Sequence, residues 1–137
     1  MSGTSSMSKY VLDSFAILAF LRQEGGWRRV QELIRDATEG KVGLHMSVIN
    51  LAEVKYILVR RGKLSPQVAA AIEALPISIA SADEYIDKVI EIKSKYAVSL
   101  ADCFGIAVAI DLKCPIVTAD PEFRKLEGIV RVEWLGE

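Results

Sequence analysis

The sequence predicts an α/β domain with a mostly parallel sheet and helices on both faces. Short β-prone runs alternate five times with helix-period segments along the chain. The stretches between those runs are long enough for crossover connections, which parallel strands require. Composition agrees: of 137 residues, 51% are hydrophobic and 26% charged, as in a globular chain. A chain of that length fits one domain and buries roughly 70% of its unfolded surface.

KYVLD (9–13) is a β-prone run ending in an acid, and SFAILAFL reads as the helix after it. WRRVQELIRDATEG sets Trp27, Val30, Leu33, Ile34 and Ala37 at helical spacing, and Gly40 is its stop signal. KVGLHM (41–46) is the second strand. Ser47 then opens a helix that runs out at RRGK (60–63). SPQ (65–67) reads as an N-cap with proline at the first helical position. A short helix and a weak strand, PISIA (76–80), follow. SADE (81–84) fits a capping box, Ser81 with Glu84, before a helix carrying Tyr85, Val89 and Ile92 on one stripe. SLAD (99–102) opens the helix of CFGIAVAI. CPIVTAD (114–120) is a strand ending in an acid, with a short helix behind it. IVRVEWL (129–135) alternates as a last, edge-type strand. There is no repeat, low-complexity segment or linker.

Residues 1–8, MSGTSSMS, are small and polar without an apolar h-region. They read as a disordered tail or an expression remnant rather than a signal peptide, leaving one domain over residues 9–137. No stretch approaches the ~18 unbroken apolar residues of a membrane span, so no membrane association is expected. Cys103 and Cys114 are too few for a disulfide framework and lack metal-ligand spacing. Reduced, buried thiols in a cytoplasmic protein fit them. The net charge of −1 excludes duplex binding by bulk positive charge, so any nucleic-acid contact is a local patch.

Four acids stand apart. Asp13, Glu53, Asp102 and Asp120 each lie at a strand end or early in a helix, with no Lys or Arg on their own local face. Each of three has a capping alternative. Asp13 can cap SFAILAFL, Asp120 precedes Pro121, and Asp102 lies three residues after Ser99. Glu53 lies six residues past Ser47, too deep for capping. Ile49, Tyr56 and Ile57 share its helical face, which reads as buried, and Lys55 at i+2 points elsewhere. A buried carboxylate needs a partner, either a distant Lys or Arg or something outside the chain.

Convergence of the four on one pocket is the alternative. Two unit charges ~4 Å apart repel by about 4 kcal/mol at an effective dielectric near 20. Such a pocket takes up protons or binds cations. Oxygen ligands without His or Cys select Mg2+ or Mn2+. An ion held this way lowers the pKa of a water and steadies a leaving oxygen, which suits phosphodiester hydrolysis.

The order VLDSFAIL, SVINLAEV, SLADCFGIAVA, IVTADPEF resembles a PIN domain, most of all a VapC-type toxin ribonuclease. The resemblance runs from Tyr10 to about Trp134 and fills all four acidic positions. It implies a three-layer α/β/α sandwich with a five-stranded parallel sheet, order 3-2-1-4-5. It implies a Mg2+- or Mn2+-dependent endoribonuclease of a type II toxin-antitoxin system. By position, Asp13, Glu53 and Asp102 would ligate metal, with Asp120 as the more variable fourth acid. Thr118 matches the usual hydroxyl neighbour, Ser14 the small polar residue after the first acid, and Asn50 a polar slot one turn before Glu53. Family members usually form homodimers and are inhibited by a small antitoxin whose tail fills the acidic groove.

Arg60, Arg61 and Lys63 form a basic tip, and Arg28 and Arg29 a second pair. Each is a solvated helix end or a contact to RNA phosphates. His45 reads as structural, and Trp27 and Trp134 as packing or interface residues, although tryptophans also stack on bases. Phe15, Ile17, Leu18 and Phe20 put apolar surface on more than one side of a short helix, a hint of dimerisation. Two other functions compete. A non-catalytic PIN-like scaffold would keep the acidic pocket to bind a partner's arginine. A phosphate-handling domain is disfavoured: Ser14 and Phe15 stand where a receiver or a dehalogenase-like phosphatase wants acids, and a Walker loop is absent.

Overall fold

The computed structural model describes residues 7–136. Strands β1 (Ser8–Leu12), β2 (Val42–Ser47), β3 (Ile77–Ala80), β4 (Ile116–Thr118) and β5 (Val132–Trp134) form one sheet in the order β3-β2-β1-β4-β5. Every pairing is parallel, with Tyr10 opposite Leu44, Leu12 opposite Val117, Ser47 opposite Ala80 and Thr118 opposite Trp134. The expected strand order and parallel architecture are therefore present.

Side-chain alternation along the two central strands builds two cores. Val11 and Ile116 point into one, with Val89, Ile92, Phe104 and Val108 of helices α5 (Ile86–Lys95) and α6 (Leu100–Leu112). Leu12 and Val117 point into the other, with Ile17 of α1 (Ser14–Arg22), Val30 and Leu33 of α2 (Trp27–Thr38), Val54 and Leu58 of α3 (Val48–Arg60) and Ile72 of α4 (Pro66–Glu73). Helices thus cover both faces of the sheet.

Local signals mostly act as read. Ser65 accepts from the Val68 N–H at 3.1 Å with Pro66 behind it. Gly40 takes φ 77°, which ends the α2 segment where a side chain would be strained. Four readings are corrected. The Ser81–Glu84 capping box does not form: the chain makes a 3₁₀ turn over Asp83–Tyr85 with no side-chain cap. The helix after β4 is also a 3₁₀ segment, Pro121–Leu126. Ile17 and Leu18 are core residues, not part of a spare apolar face. Ser8, read as tail, opens β1; of the expected tail, residues 1–6 lie outside the described residues. Among the described residues no helix is long and apolar enough to cross a membrane.

The sheet order has a consequence for function. The chain winds from β1 outward to β3, then returns to place β4 on the other side of β1. Strand order reverses between β1 and β4, and a ligand crevice forms at the carboxyl ends of such strands. Asp13 directly follows β1, and Asp120 lies two residues beyond β4.

Candidate active site

Asp13 forms the floor. It is 1% exposed and N-caps α1, its Oδ1 accepting from the Ala16 N–H at 2.8 Å. Thr118, fully buried on β4, donates its hydroxyl to Asp13 Oδ2. The same Thr118 oxygen accepts from the Asp120 N–H at 3.0 Å, so one hydroxyl fixes both strand-end acids. Asp120 caps the 3₁₀ segment through the Glu122 N–H at 3.0 Å. Burial, helped by the charges of Asp102 and Asp120, pushes the Asp13 carboxyl up to about 7 against its two hydrogen bonds.

The wall comes from two helices. Ser99 caps α6 by accepting from the Asp102 N–H at 3.1 Å, which sets Asp102 in the first turn. Burial lifts the Asp102 carboxyl to about 6; the Ser99 hydrogen bond opposes this, and Asp120, Glu53 and Glu122 add to the rise. On α3, Asn50 is fully buried and donates to the Ala101 carbonyl at 3.1 Å, tying α3 to the turn that carries Asp102. Its Oδ1 has no partner among the described residues, and a Cβ added at Gly105 would sit 2.8 Å from it. Glu53, one turn on, accepts from the Ser14 hydroxyl.

Glu53 itself corrects an expectation. The buried face of α3 is Asn50, Val54 and Leu58; Glu53 is half-buried and Tyr56 is 56% exposed. Among the described residues none of Asp13, Glu53, Asp102 and Asp120 pairs with Lys or Arg, and Lys55 pairs with Glu73 at 3.1 Å. The distant ion-pair alternative for Glu53 fails. The capping alternatives hold for Asp13 and Asp120, and each cap also aims a carboxylate at its neighbours.

A cleft of roughly 920 Å³ opens above these groups. Ser14, Glu53, Asp102, Asp120 and Glu122 are among its lining residues, and Asp13, next to Ser14 in the chain, is buried behind them. Among the described residues, no three His, Cys, Asp or Glu side chains form a ready-made metal cage. The donor set still fits a hard ion. Mg2+ is commonly held by one or two carboxylates with waters completing the shell. Asp13 and Asp102, whose carboxyls burial lifts above the usual range with neighbouring acids adding to the rise, are ligands of that kind.

Of the basic residues, Arg61 lines the cleft and Lys63 an adjoining hollow. Arg60 lies on Tyr56, donating to its hydroxyl at 3.0 Å. Arg28 and Arg29 lie outside the cleft: Arg28 stacks on Trp27 at 4.7 Å and Arg29 is held by Glu133 at 2.7 Å. Trp134 donates to Glu127 at 2.9 Å beneath Arg124, a packing role. Cys103 and Cys114 are buried free thiols, and half-buried His45 lies on β2 away from the lining. Arg22, Lys93 and Glu122 also line the cleft, and the sequence reading missed them. Arg22 had a signal: Ser14, Leu18 and Arg22 recur every four residues on one face of α1.

Comparison with known families supplies a membership for this fold. The chain matches the PIN domain over residues 10–129 and belongs to that family. Its solved structural relatives include VapBC2 from Rickettsia felis bound to a promoter DNA fragment, at 19% identity and TM-score 0.67, over 93% of this chain and 98% of that one. DNA-bound VapBC from Salmonella typhimurium matches at 20% identity and TM-score 0.64, over 93% and 98%. VapBC-5 of Mycobacterium tuberculosis, a member of the VapBC family of toxin-antitoxin systems, matches at 18% and 0.59, over 95% and 99%. No curated protein matches the chain.

Proposed function

We propose that this chain is a Mg2+- or Mn2+-dependent endoribonuclease, the toxin of a type II toxin-antitoxin system. PIN family membership and the toxin-antitoxin complexes among the structural relatives support a nuclease of that kind. One observation carries the metal-dependent part: four acids from separate segments gather at one cleft and, among the described residues, none of them is ion-paired with Lys or Arg, while two have carboxyls lifted to about 7 and about 6. Asp13, Glu53, Asp102 and Asp120 would hold the ion, and a bound ion supplies activation of water and of the phosphodiester. Thr118 sets the positions of Asp13 and Asp120, Ser14 that of Glu53, and Asn50 the spacing of α3 from α6. The cleft's mixed lining would also receive a tail of a small antitoxin. Exposed Ile86 and Ile90 on α5 offer apolar surface for a homodimer, and a cytoplasmic location follows from this role.

The test is incubation of wild type, Asp13→Asn and Glu53→Gln with total RNA and Mn2+, with mapping of the new ends. Wild type cleaves; both variants lose cleavage. Equal cleavage by wild type and both variants overturns the mechanism. A wild type that never cleaves, yet binds an arginine-bearing peptide in the cleft, establishes the scaffold reading instead.

A further inference from the structure

We propose that Arg22, together with Arg61, forms a phosphate-binding subsite that holds a single-stranded RNA backbone beside the acids and sets the direction in which the strand leaves them. The proposal rests on the nuclease reading above and goes beyond it by naming the residues that bind the backbone.

Arg22 is the last residue of α1, two turns from Ser14, and both line the same cleft. Its Nη2 is buried and has no hydrogen-bond partner among the described residues. Buried donors in that condition are rare, and each calls for an explanation. Among the described residues its one ion pair is with Glu24, 3.6 Å from Nη1 and with its own side chain 59% exposed, a pair of little worth in that setting. Neutralising the carboxyl end of α1 is the bland role for an arginine there. The helix end is already satisfied without it: the Gln23 N–H reaches the Phe20 carbonyl at 3.3 Å, and the Glu24 N–H reaches that of Ala19 at 2.9 Å. What the guanidinium offers the cleft is a fixed charge and the donors on the quarter of the side chain that stays exposed, while the unfilled Nη2 leaves the planar fork free to turn towards a phosphate.

Arg61 extends the path. It borders the main cleft, an adjoining hollow of roughly 430 Å³ shared with Arg22 and Lys63, and a further one of roughly 330 Å³ shared with Arg60 and Tyr56. The three spaces share lining residues, so cations follow one another outward from the acids. Among the described residues Arg61 and Lys63 take part in no ion pair. Tyr56, 56% exposed at the far end, presents a ring on which a base stacks. The strand therefore leaves over the carboxyl ends of α1 and α3, not over α2, where Glu133 and Glu32 occupy Arg29.

The probe is a fluorescein-labelled oligouridylate, titrated with the full chain in EDTA across a salt series and then used as substrate in Mn2+. Arg22→Gln is expected to weaken binding about tenfold and to shrink the slope of log K against log salt by about 0.7, the value of one single-strand phosphate contact. It raises KM with kcat retained, the mark of lost uniform binding. Arg22→Lys restores the slope and part of the affinity. Arg61→Gln, on an exposed side chain, gives the same slope loss without a folding question. Wild-type affinity and slope in both glutamine variants overturn the subsite, and if wild type binds and cleaves in that experiment the nuclease reading stands. A wild-type chain that neither binds nor cleaves removes both.

Discussion

Each end of the parallel sheet gathers a cluster of like-charged side chains. At the amino ends, Lys9, Lys113 and Arg131 surround a hollow of roughly 430 Å³ near Cys114, with no acid in its lining. At the carboxyl ends, Asp13, Glu53, Asp102 and Asp120 surround the main cleft or its floor. The difference is water. Lys9, Lys113 and Arg131 are all exposed, so solvent screens them and their crowding costs little. Asp13 is 1% exposed and Asp102 half-buried, so loss of water raises their carboxyls, and the neighbouring acids add to that rise. Like charge at a surface is ordinary; like charge held in a crevice against its own repulsion marks a site.

That contrast breaks first on a pH series. The Asp13 carboxyl rises on folding to about 7 and that of Asp102 to about 6. Between about pH 4 and those values the folded chain holds protons that the unfolded chain has released. Without metal, stability is therefore greatest at the acid end of this window and falls as pH climbs through it. The Asp13 part alone amounts to at most about 4 kcal/mol by pH 8, from roughly three pH units at 1.36 kcal/mol each. Asp13→Asn keeps an oxygen for the Ala16 N–H and cannot ionise. In EDTA at pH 8 its melting temperature should exceed that of wild type, with the gap closing towards pH 4. Calorimetric scans across the range check this, and a wild-type melting temperature that climbs from pH 4 to 8 would falsify it. Added Mn2+ should raise the wild-type value more than the variant's.

A smaller effect sharpens the comparison at the helix pair behind the acids. Gly105 lets α6 approach α3 so closely that an added Cβ would lie 2.8 Å from Asn50 Oδ1 and 3.2 Å from Ile116 Cδ1. Gly105→Ala should cost about 1–3 kcal/mol by overpacking, measured by urea titration. Because Asn50 anchors to Ala101 beside Asp102, cleavage should fall further than the lost stability alone explains. An alanine variant with unchanged midpoint and unchanged cleavage would show that the close approach is not needed.

How much of this was legible follows from where each residue gets its position. Alternation of strand and helix runs was enough for a parallel sheet, because crossover sterics leave few other arrangements. Asp13 and Asp120 could be found because local geometry, a strand end followed by a cap, places them. Glu53 stood out for the opposite reason, being too deep in α3 for any local role, although its face proved half-buried and its nearest hydroxyl, Ser14, lies 39 residues away in sequence. Arg22 was missed because its significance is an absence, an unfilled donor, which only three-dimensional neighbours reveal. The Ser81–Glu84 box misled because the residue types for a cap were present but the backbone entered a 3₁₀ turn instead. Arg29 read as a free cation because its partner Glu133 comes 104 residues later, on β5.

The least effect is expected at the amino ends, and it bears most directly on the contrast. If the basic hollow is only a solvated rim, removing its charge changes little. Arg131→Gln and Lys9→Gln should each leave stability within about 0.5 kcal/mol of wild type, as surface substitutions do. Cleavage and the salt dependence of oligouridylate binding should also match wild type, because neither residue lines the acidic cleft. Together with Arg22→Gln these variants form a matched set: one positive charge removed in each, at opposite ends of the sheet. Equal losses of salt slope at both ends would mean that RNA is drawn by charge at large, and location would cease to distinguish the two. A loss confined to Arg22 and Arg61 would tie the backbone to the end of the sheet where the acids meet.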